Sequence, residues 1–431
     1  PERFRNGDPS NDLPGTERWG APPTRENFQG GDLRGIIEKL GYIRDLGATC
    51  LYLTPIFKAP SNHKYDTVDY FDIDPAFGTK DDLAELVRSA HKLGLRVLLD
   101  GVFNHCGYFW PPFQDVVRNG ESSGYASWFF PQSFPVNEQL ENYDCVGHYK
   151  WMPKINLADA GARDYFITVG KYWIRNFHID GWRLDVANEL DDGFLRAFRT
   201  AVKAAKPDAV IVGEVWENAA HYLNGDMMDS AMSYDFRRYC RRFFAEETVD
   251  AETFDTNVST LLLRYRENAL FAQLNLLDSH DVSRYLSLCG ENVDKMELSV
   301  LLQMTFPGMP CVFYGDEKGL CGLSESEYRQ AMAWGKSHPL EDVYRRLIAL
   351  RKAHPALRYG DFVTNFAAGK TYSYSRNWGN TRITVTMNLG DAPIPAPQRG
   401  RLLLKKGGNH AIIGAWEYEV REERIHGGDD L

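Results

Sequence analysis

The sequence predicts an α/β fold: a (β/α)8 TIM barrel with one long loop excursion after its third strand and a small antiparallel β domain at the C-terminal end. Three observations predict it. Short apolar, β-branched runs alternate with longer amphipathic segments, a Gly-, Pro- and aromatic-rich stretch interrupts that alternation once, and beyond Tyr359 the apolar period changes to two.

The strand runs include Ala48–Leu53, Arg96–Phe103, Ile179–Val186, Val210–Val215, Phe271–Leu277 and Pro310–Tyr314. Between them lie helical patterns such as Asp81–Leu93, with Leu83, Leu86, Val87 and Ala90 on one face, and Asp164–Asn176, with Phe166, Val169, Tyr172 and Trp173. Strands that alternate with helices pair in parallel, and such a series closes into a barrel. Seven barrel strands can be found, and the first is expected just before Pro1 or frayed into it. Asn104–Met152 has no clear helix period and is placed as the excursion, over the active face of the barrel. After Tyr359, the runs Lys370–Ser375 and Arg382–Asn388, with turns at Asn377–Asn380 and Leu389–Pro397, read as antiparallel strands. The expected domains are therefore a catalytic barrel over 1–103 and 153–358, an excursion over 104–152 and a β-sandwich over 359–431.

A chain of 431 residues with 43% hydrophobic and 25% charged side chains is globular in composition, which excludes disorder, collagen and coiled coil. The formal charge of −10 repels phosphate backbones and anionic lipid, so neither nucleic acid nor a membrane is an expected partner. The cluster Arg237, Arg238, Arg241 and Arg242 reads as the solvated face of a helix whose apolar side is Phe236, Tyr239, Phe243 and Phe244. The seven cysteines are dispersed and lack zinc spacing, which reads as reduced thiols, no structural zinc, and a cytoplasmic rather than secreted protein. No apolar run approaches the length of a membrane span. The sequence opens at Pro1 without Met or an apolar leader, so any leader or upstream domain is expected to have been removed.

Barrel enzymes place their chemistry at the C-terminal ends of the strands, and here those ends read DGVFNH (Asp100–His105), GWRLDVANE (Gly181–Glu189), GEVWE (Gly213–Glu217) and NLLDSHD (Asn275–Asp281). A lone strand-end Asp is ordinarily a cap or a loop acceptor. Four carboxylate-bearing ends together are not explained by capping. Glycoside hydrolysis needs one carboxyl group to protonate the leaving oxygen and another to attack the anomeric carbon or position water, and Asp185 and Glu214 end adjacent strands. Arg183 lies two residues before Asp185, on the same side of the strand, where its cation keeps Asp185 ionised as a nucleophile. Glu214 stands near the apolar Trp216, and partial burial there is expected to hold a proton on it.

In order and spacing these four blocks resemble the conserved regions of the α-amylase family of glycoside hydrolases. MPKINL (Met152–Leu157), the VANE of Val186–Glu189 and SNHKYDTVDYFDIDP (Ser61–Pro75) are similar to its neopullulanase, cyclomaltodextrinase and maltogenic amylase branch. The resemblance implies retaining hydrolysis of α-1,4-glucosidic bonds in cyclodextrins, pullulan, starch or maltooligosaccharides. It implies that Asp185 is the nucleophile, Glu214 the acid/base and Asp281 the carboxylate that stabilises the transition state. His105 and His280 would bond sugar hydroxyls, Arg183 would orient the nucleophile, Tyr65 would stack on the sugar, and Trp216 would join the substrate-binding set. Asp100 is read as a structural tie between strand and loop. Arg329 keeps the position of a sugar-gripping Arg, whereas Glu325 stands where the branch carries Asp. Glu217 is not the His expected after Trp216. The branch usually carries an N-terminal β domain that dimerises and covers the cleft; this sequence shows none, so either it was cut away or the cleft is expected to be more open than in relatives, and a homodimer is compatible with the sequence.

Asn6, Asp8, Asn11 and Asp12, followed by Gly30 and Asp32, cluster oxygen donors suited to Ca²⁺, although a polar Asx-turn loop reads equally well from composition alone. The EF-hand pattern fails, because Asn11 stands where its central Gly is required. The NGDPSND block followed by GGD is similar to the calcium loop of the branch, so structural Ca²⁺ is expected, with no organic cofactor. A transglycosylase using the same intermediate is the alternative enzyme, and a non-catalytic glucan-binding protein is the alternative from another class. A barrel aldolase or isomerase is disfavoured, since no strand-end Lys and no phosphate-gripping Gly loop are present.

Overall fold

The computed structural model describes residues 1–425. They form two compact units: Pro1–Ala231 with Gln330–Met332, and Met232–Arg329 with the chain from Ala333.

In the first unit the strands Cys50–Leu53, Arg96–Gly101, Gly181–Leu184 and Val210–Gly213 pair in parallel in that order, and Ser230 and Ala231 add to the edge of Val212 and Gly213. Capped amphipathic helices precede the first of these strands and stand before each of the next three. Asp32 caps Leu33–Leu46, Thr79 and Asp82 make a reciprocal capping box on Lys80–Lys92, and Asp159 and Asp191 cap Ala160–Phe177 and Asp192–Ala205. The apolar faces of these helices bury Phe166, Trp173 and Phe198, and with Phe103 and Trp182 these rings form the core. The ladders are shorter than the apolar runs: Arg96–Phe103 stops pairing at Gly101, and Ile179–Val186 pairs only over Gly181–Leu184. The residues left over turn away to present side chains.

The excursion is not wholly irregular, because Pro111–Asn119 is a nine-residue helix. Its two prolines fill the first turn, where a missing N–H costs nothing, and only Phe113 and Val116 are buried, too short a stripe to register as a period. Among the described residues no strand precedes Cys50, and the expected fraying of a first strand into Pro1 is not seen.

In the second unit Met232 and Ser233, the end of the short strand Ser230–Ser233, pair with Leu274 and Asn275, and Leu274–Leu276 pairs with Met309–Cys311, again in parallel. Ser230–Ser233, SAMS, is too small and polar to be found by apolar pattern. The antiparallel character expected after Tyr359 is present: Val363–Ala368, Thr371–Trp378, Thr381–Asn388, Glu417–Arg424 and Arg401–Lys406 pair in that order. Tyr372, Tyr374, Ile383, Val385 and Val420 bury one face, while Ser373, Ser375, Thr384 and Thr386 hydrogen-bond in cross-strand pairs on the other.

The arginine cluster is corrected at one position. Phe236, Tyr239, Phe243 and Phe244 are buried as expected, but so is Arg237, whose Nη2 donates to the Ser283 carbonyl at 3.4 Å, because the helix Tyr234–Cys240 is buried on every side but that of Arg238. Among the described residues all the cysteines are free thiols, and no helix is long and apolar enough to cross a membrane.

Gly170 lies in the middle of Ala160–Phe177, where a Cβ would sit 2.4 Å from the Phe198 ring. Exchanging a mid-helix Gly for Ala ordinarily gains about 1 kcal/mol. Here overpacking costs about 1–3 kcal/mol and wins, so Gly170→Ala should lower the urea midpoint at an unchanged m-value; a higher midpoint would refute the packing argument.

Candidate active site

In the first unit the register of the parallel ladder decides which side chains meet. Asp100 pairs with Arg183 and Arg183 with Val212, so Asp100, Arg183 and the residues just beyond them leave adjacent strands at one level. Arg183 is 1% exposed. Its Nη1 donates to both oxygens of Asp100 at 3.0 Å and to Asp185 Oδ1 at 2.7 Å, and its Nη2 lies 2.9 Å from Glu214 Oε2. Burial opposes the Arg183 charge, but Asp100 and Glu214 outweigh it and hold the guanidinium more firmly protonated than usual.

Asp100 is held in turn by the hydroxyls of Tyr52 and Tyr65, at 2.7 and 2.9 Å from Oδ2. It is the tie between strand and loop that the sequence suggested, with Tyr65 as the loop's contribution. Burial and the Asp100 carboxylate push the Tyr65 phenol far above its ordinary range, so it stays protonated and donates.

Glu214 requires a correction. Trp216 lies beside it as expected but is 46% exposed, and it serves as a donor rather than an apolar wall: its Nε1 donates to Glu214 Oε1 at 2.8 Å. The Val186 N–H donates to Oε2 at 2.9 Å. That N–H is aimed by backbone strain, since Val186 adopts φ 45° and ψ 47°, a left-handed conformation that costs a β-branched residue about 1–3 kcal/mol. Glu214 is therefore buried among donors, and the medium that fixes it is polar.

His105 is buried with Nε2 3.8 Å from Asp185 Oδ2. Burial, the largest influence, lowers its pKa to about 3, so the ring is neutral at ordinary pH and can bond a hydroxyl without competing with Arg183.

The second unit carries its own polar cluster. His280 Nε2 lies 3.0 Å from Asp281 Oδ2, and Arg329 Nη2 lies 3.1 Å from Asp281 Oδ1 while its Nε donates to the His280 carbonyl at 2.7 Å. Glu325, one helical turn earlier, meets Arg329 Nη1 at 3.2 Å. The Glu in place of Asp thus still reaches the Arg.

A model of the alpha-amylase catalytic domain matches residues 1–338. A cyclomaltodextrinase of Geobacillus thermopakistaniensis is 46% identical over 94% of the chain and 71% of its own length. Neopullulanase 2 of Thermoactinomyces vulgaris is 44% identical over 90% of the chain and 68% of its own length. The chain belongs to the alpha-amylase family. As a member it is a glycoside hydrolase, and its fold is that of solved family members: a cyclic α-maltosyl-(1→6)-maltose hydrolase of Arthrobacter globiformis superposes with a TM-score of 0.92 at 35% identity, covering 98% of this chain and 96% of that one.

The residues expected to hold a metal lie together in one hydrogen-bonded loop of the first unit. Asn6 Nδ2 donates to both Asp12 oxygens, at 2.9 and 3.2 Å, and Asp32 accepts from the Gly7 and Asp8 N–H groups at 3.1 and 2.8 Å and from Asn11 Nδ2 at 3.3 Å. Among the described residues the amide oxygens Asn6 Oδ1 and Asn11 Oδ1 are buried without a hydrogen-bond donor, and no group of three or more His, Cys, Asp or Glu side chains is arranged to hold a metal. Gly30, at φ 80°, leaves room that a Cβ would fill 2.2 Å from Asp12 Oδ1. Orphaned amide oxygens around a carboxylate fit a hard, oxygen-seeking cation, and Asp32 adds an N-cap to Leu33–Leu46.

Because the folded pKa of His105, about 3, lies below its unfolded value of about 6.5, its contribution to stability is complete above pH 6.5 and is lost as pH falls toward 3, at up to about 1.4 kcal/mol per pH unit. His105→Gln should therefore flatten the acid limb of a stability–pH curve between 6.5 and 3; an unchanged limb would show that other groups set it.

Proposed function

We propose that this chain hydrolyses α-1,4-glucosidic bonds in α-glucans, namely cyclodextrins, pullulan, starch or maltooligosaccharides, with retention of configuration. The observation that carries the reading is the pair Asp185 and Glu214 held on one buried guanidinium, supported by relatives named for cyclodextrin and pullulan substrates. Asp185 Oδ1 is fixed by Arg183, so attack is assigned to Oδ2, the oxygen facing His105. Oε2 of Glu214 is committed to Val186 and Arg183, so the transferable proton is assigned to Oε1, on the side of exposed Trp216. Three carboxylates face one guanidinium, a buried surplus of negative charge that favours a proton on one of them. Asp281, gripped by His280 and Arg329, is assigned to ring hydroxyls and to stabilising the oxocarbenium-like charge, with Tyr65, His105 and His280 as sugar contacts and Arg329 and Glu325 as an outlying grip.

Structural Ca²⁺ is part of this proposal, with Asn6, Asp8, Asn11, Asp12 and Asp32 as side-chain donors around Gly30; it supplies positive charge that holds the loop together. A cytoplasmic setting is supported by the unpaired thiols and by a relative named intracellular maltogenic amylase in Bacillus subtilis.

The roles divide under an activated substrate. Fluoride leaves with little protonic help, so Glu214→Gln should lose hydrolysis of maltooligosaccharides by several powers of ten yet keep a measurable first step on α-maltosyl fluoride, whereas Asp185→Asn should lose both. Equal losses on both substrates in the two variants would overturn the assignment. For the metal, excess chelator should lower the melting temperature more than the initial rate at moderate temperature; an unchanged melting temperature would leave a polar turn that needs no ion.

A further inference from the structure

The excursion carries a surface that the carboxylate chemistry does not use. Phe109 and Trp151 are 60% and 36% exposed, and their rings lie nearly parallel, 21° apart with centroids at 6.4 Å. Large aromatic side chains normally fold inward, and a pair held at the surface forgoes part of the stabilisation that burial gives. This pair is held there. Tyr108, buried beneath, packs edge-on against both rings at 5.3 and 5.2 Å, and its hydroxyl donates to Glu138 Oε2 at 2.8 Å. The Lys150 ammonium lies 5.5 Å from the Trp151 ring centre.

The platform is continuous with the candidate active site through the backbone. Segments 105–109 and 151–154 run antiparallel: His105 bridges Lys154, the Cys106 N–H donates to the Pro153 carbonyl at 3.0 Å, and the Tyr108 N–H donates to the Trp151 carbonyl at 2.9 Å. Phe109 thus follows His105, the ring beside Asp185, by four residues on one segment, and Trp151 precedes the bridging Lys154 by three on the other. Exposed apolar rings with an ammonium close by suit the apolar face of a pyranose, whose hydroxyls point outward to polar partners. A phosphorylated or anionic ligand is a poorer match, because Glu138 sits under the pair.

We propose that Phe109 and Trp151 form an aromatic subsite that binds a sugar unit of the α-glucan several residues from the bond being cleaved, so that the enzyme favours ring-closed or long substrates over short ones. The proposal rests on the α-glucan reading above and names a specificity determinant within it. Phe109 packs least into the fold, so its loss should leave the fold intact, and Trp151→Phe retains a ring where Trp151→Ala does not.

The test uses turnover and binding together. Phe109→Ala and Trp151→Ala should lower kcat/KM on maltohexaose and β-cyclodextrin about tenfold, chiefly through KM, and change it less than twofold on maltotriose, with Trp151→Phe intermediate. In a Glu214→Gln background, which halts turnover, calorimetry with β-cyclodextrin should show the same tenfold loss of affinity on adding Phe109→Ala. Equal losses on short and long substrates, or unchanged β-cyclodextrin affinity, would overturn the subsite. So would a concentration-dependent dimer that Phe109→Ala dissolves with glucan affinity unchanged, since the rings would then meet a second copy. Wild-type protein that cleaves no α-glucan would overturn the function proposed above, whereas the calorimetric comparison judges the platform by itself.

Discussion

A guanidinium taken out of water is tolerated only where anions replace its hydration, and the buried Arg183 is the constraint on which the first unit's polar centre depends. Asp100, Asp185 and Glu214 come from three neighbouring strand ends, and each is placed by its contact with that one cation. Strand register makes this possible. With Asp100 opposite Arg183 and Leu184 opposite Gly213, a slip of one residue would turn every one of these side chains to the other face. The helices with their caps and the Phe166–Trp182–Phe198 packing therefore do more than bury area, because they fix the register on which the charges rely.

Much of this was legible from sequence because strand-end carboxylates are visible as letters. The alternation of strand and helix, the antiparallel end and the positions Asp100, Arg183, Asp185 and Glu214 follow from composition, period and spacing. What was not legible depends on backbone torsion and on the direction of a donor. Nothing in VANE says that Val186 takes a left-handed conformation and turns its N–H onto Glu214, and Trp216 reads as an apolar neighbour until its indole N–H is seen to face a carboxylate. Pro111–Asn119 escaped because two buried residues make no period, Ser230–Ser233 because its pairing is carried by backbone alone, and buried Arg237 because its helix is enclosed on nearly every side, which an amphipathic spacing does not reveal.

The same division explains the metal loop. Composition could name oxygen donors but could not tell a cation cage from a hydrogen-bonded turn, since both use Asn and Asp. The proposed cation rests on satisfaction: Asp12 and Asp32 accept from donors within the loop, whereas the amide oxygens of Asn6 and Asn11 are buried with no hydrogen-bond donor. The Nδ2 groups of Asn6 and Asn11 are committed to Asp12 and Asp32, so each amide has its oxygen left over for the proposed cation.

The donors around Glu214 raise a problem for an acid, because N–H groups and a guanidinium all favour its anion. In the proposed reaction the charge count resolves it. With one proton on Glu214, the group of Asp100, Asp185, Glu214 and Arg183 carries a formal charge of −1. When Asp185 attacks, it becomes an ester and loses its charge in the same step in which Glu214 gives up its proton and gains one. The group is still at −1, and Arg183, already bridging both carboxylates, stabilises the charge before and after with no need to move. The donors that look wrong for a resting acid are those that a newly formed Glu214 carboxylate needs. Oε2 is already fixed by Val186 and Arg183, so only Oε1, beside its Trp216 donor, has to exchange a proton with the sugar. Preorganisation of this kind requires a cation that cannot titrate, which is why an Arg rather than a Lys occupies position 183.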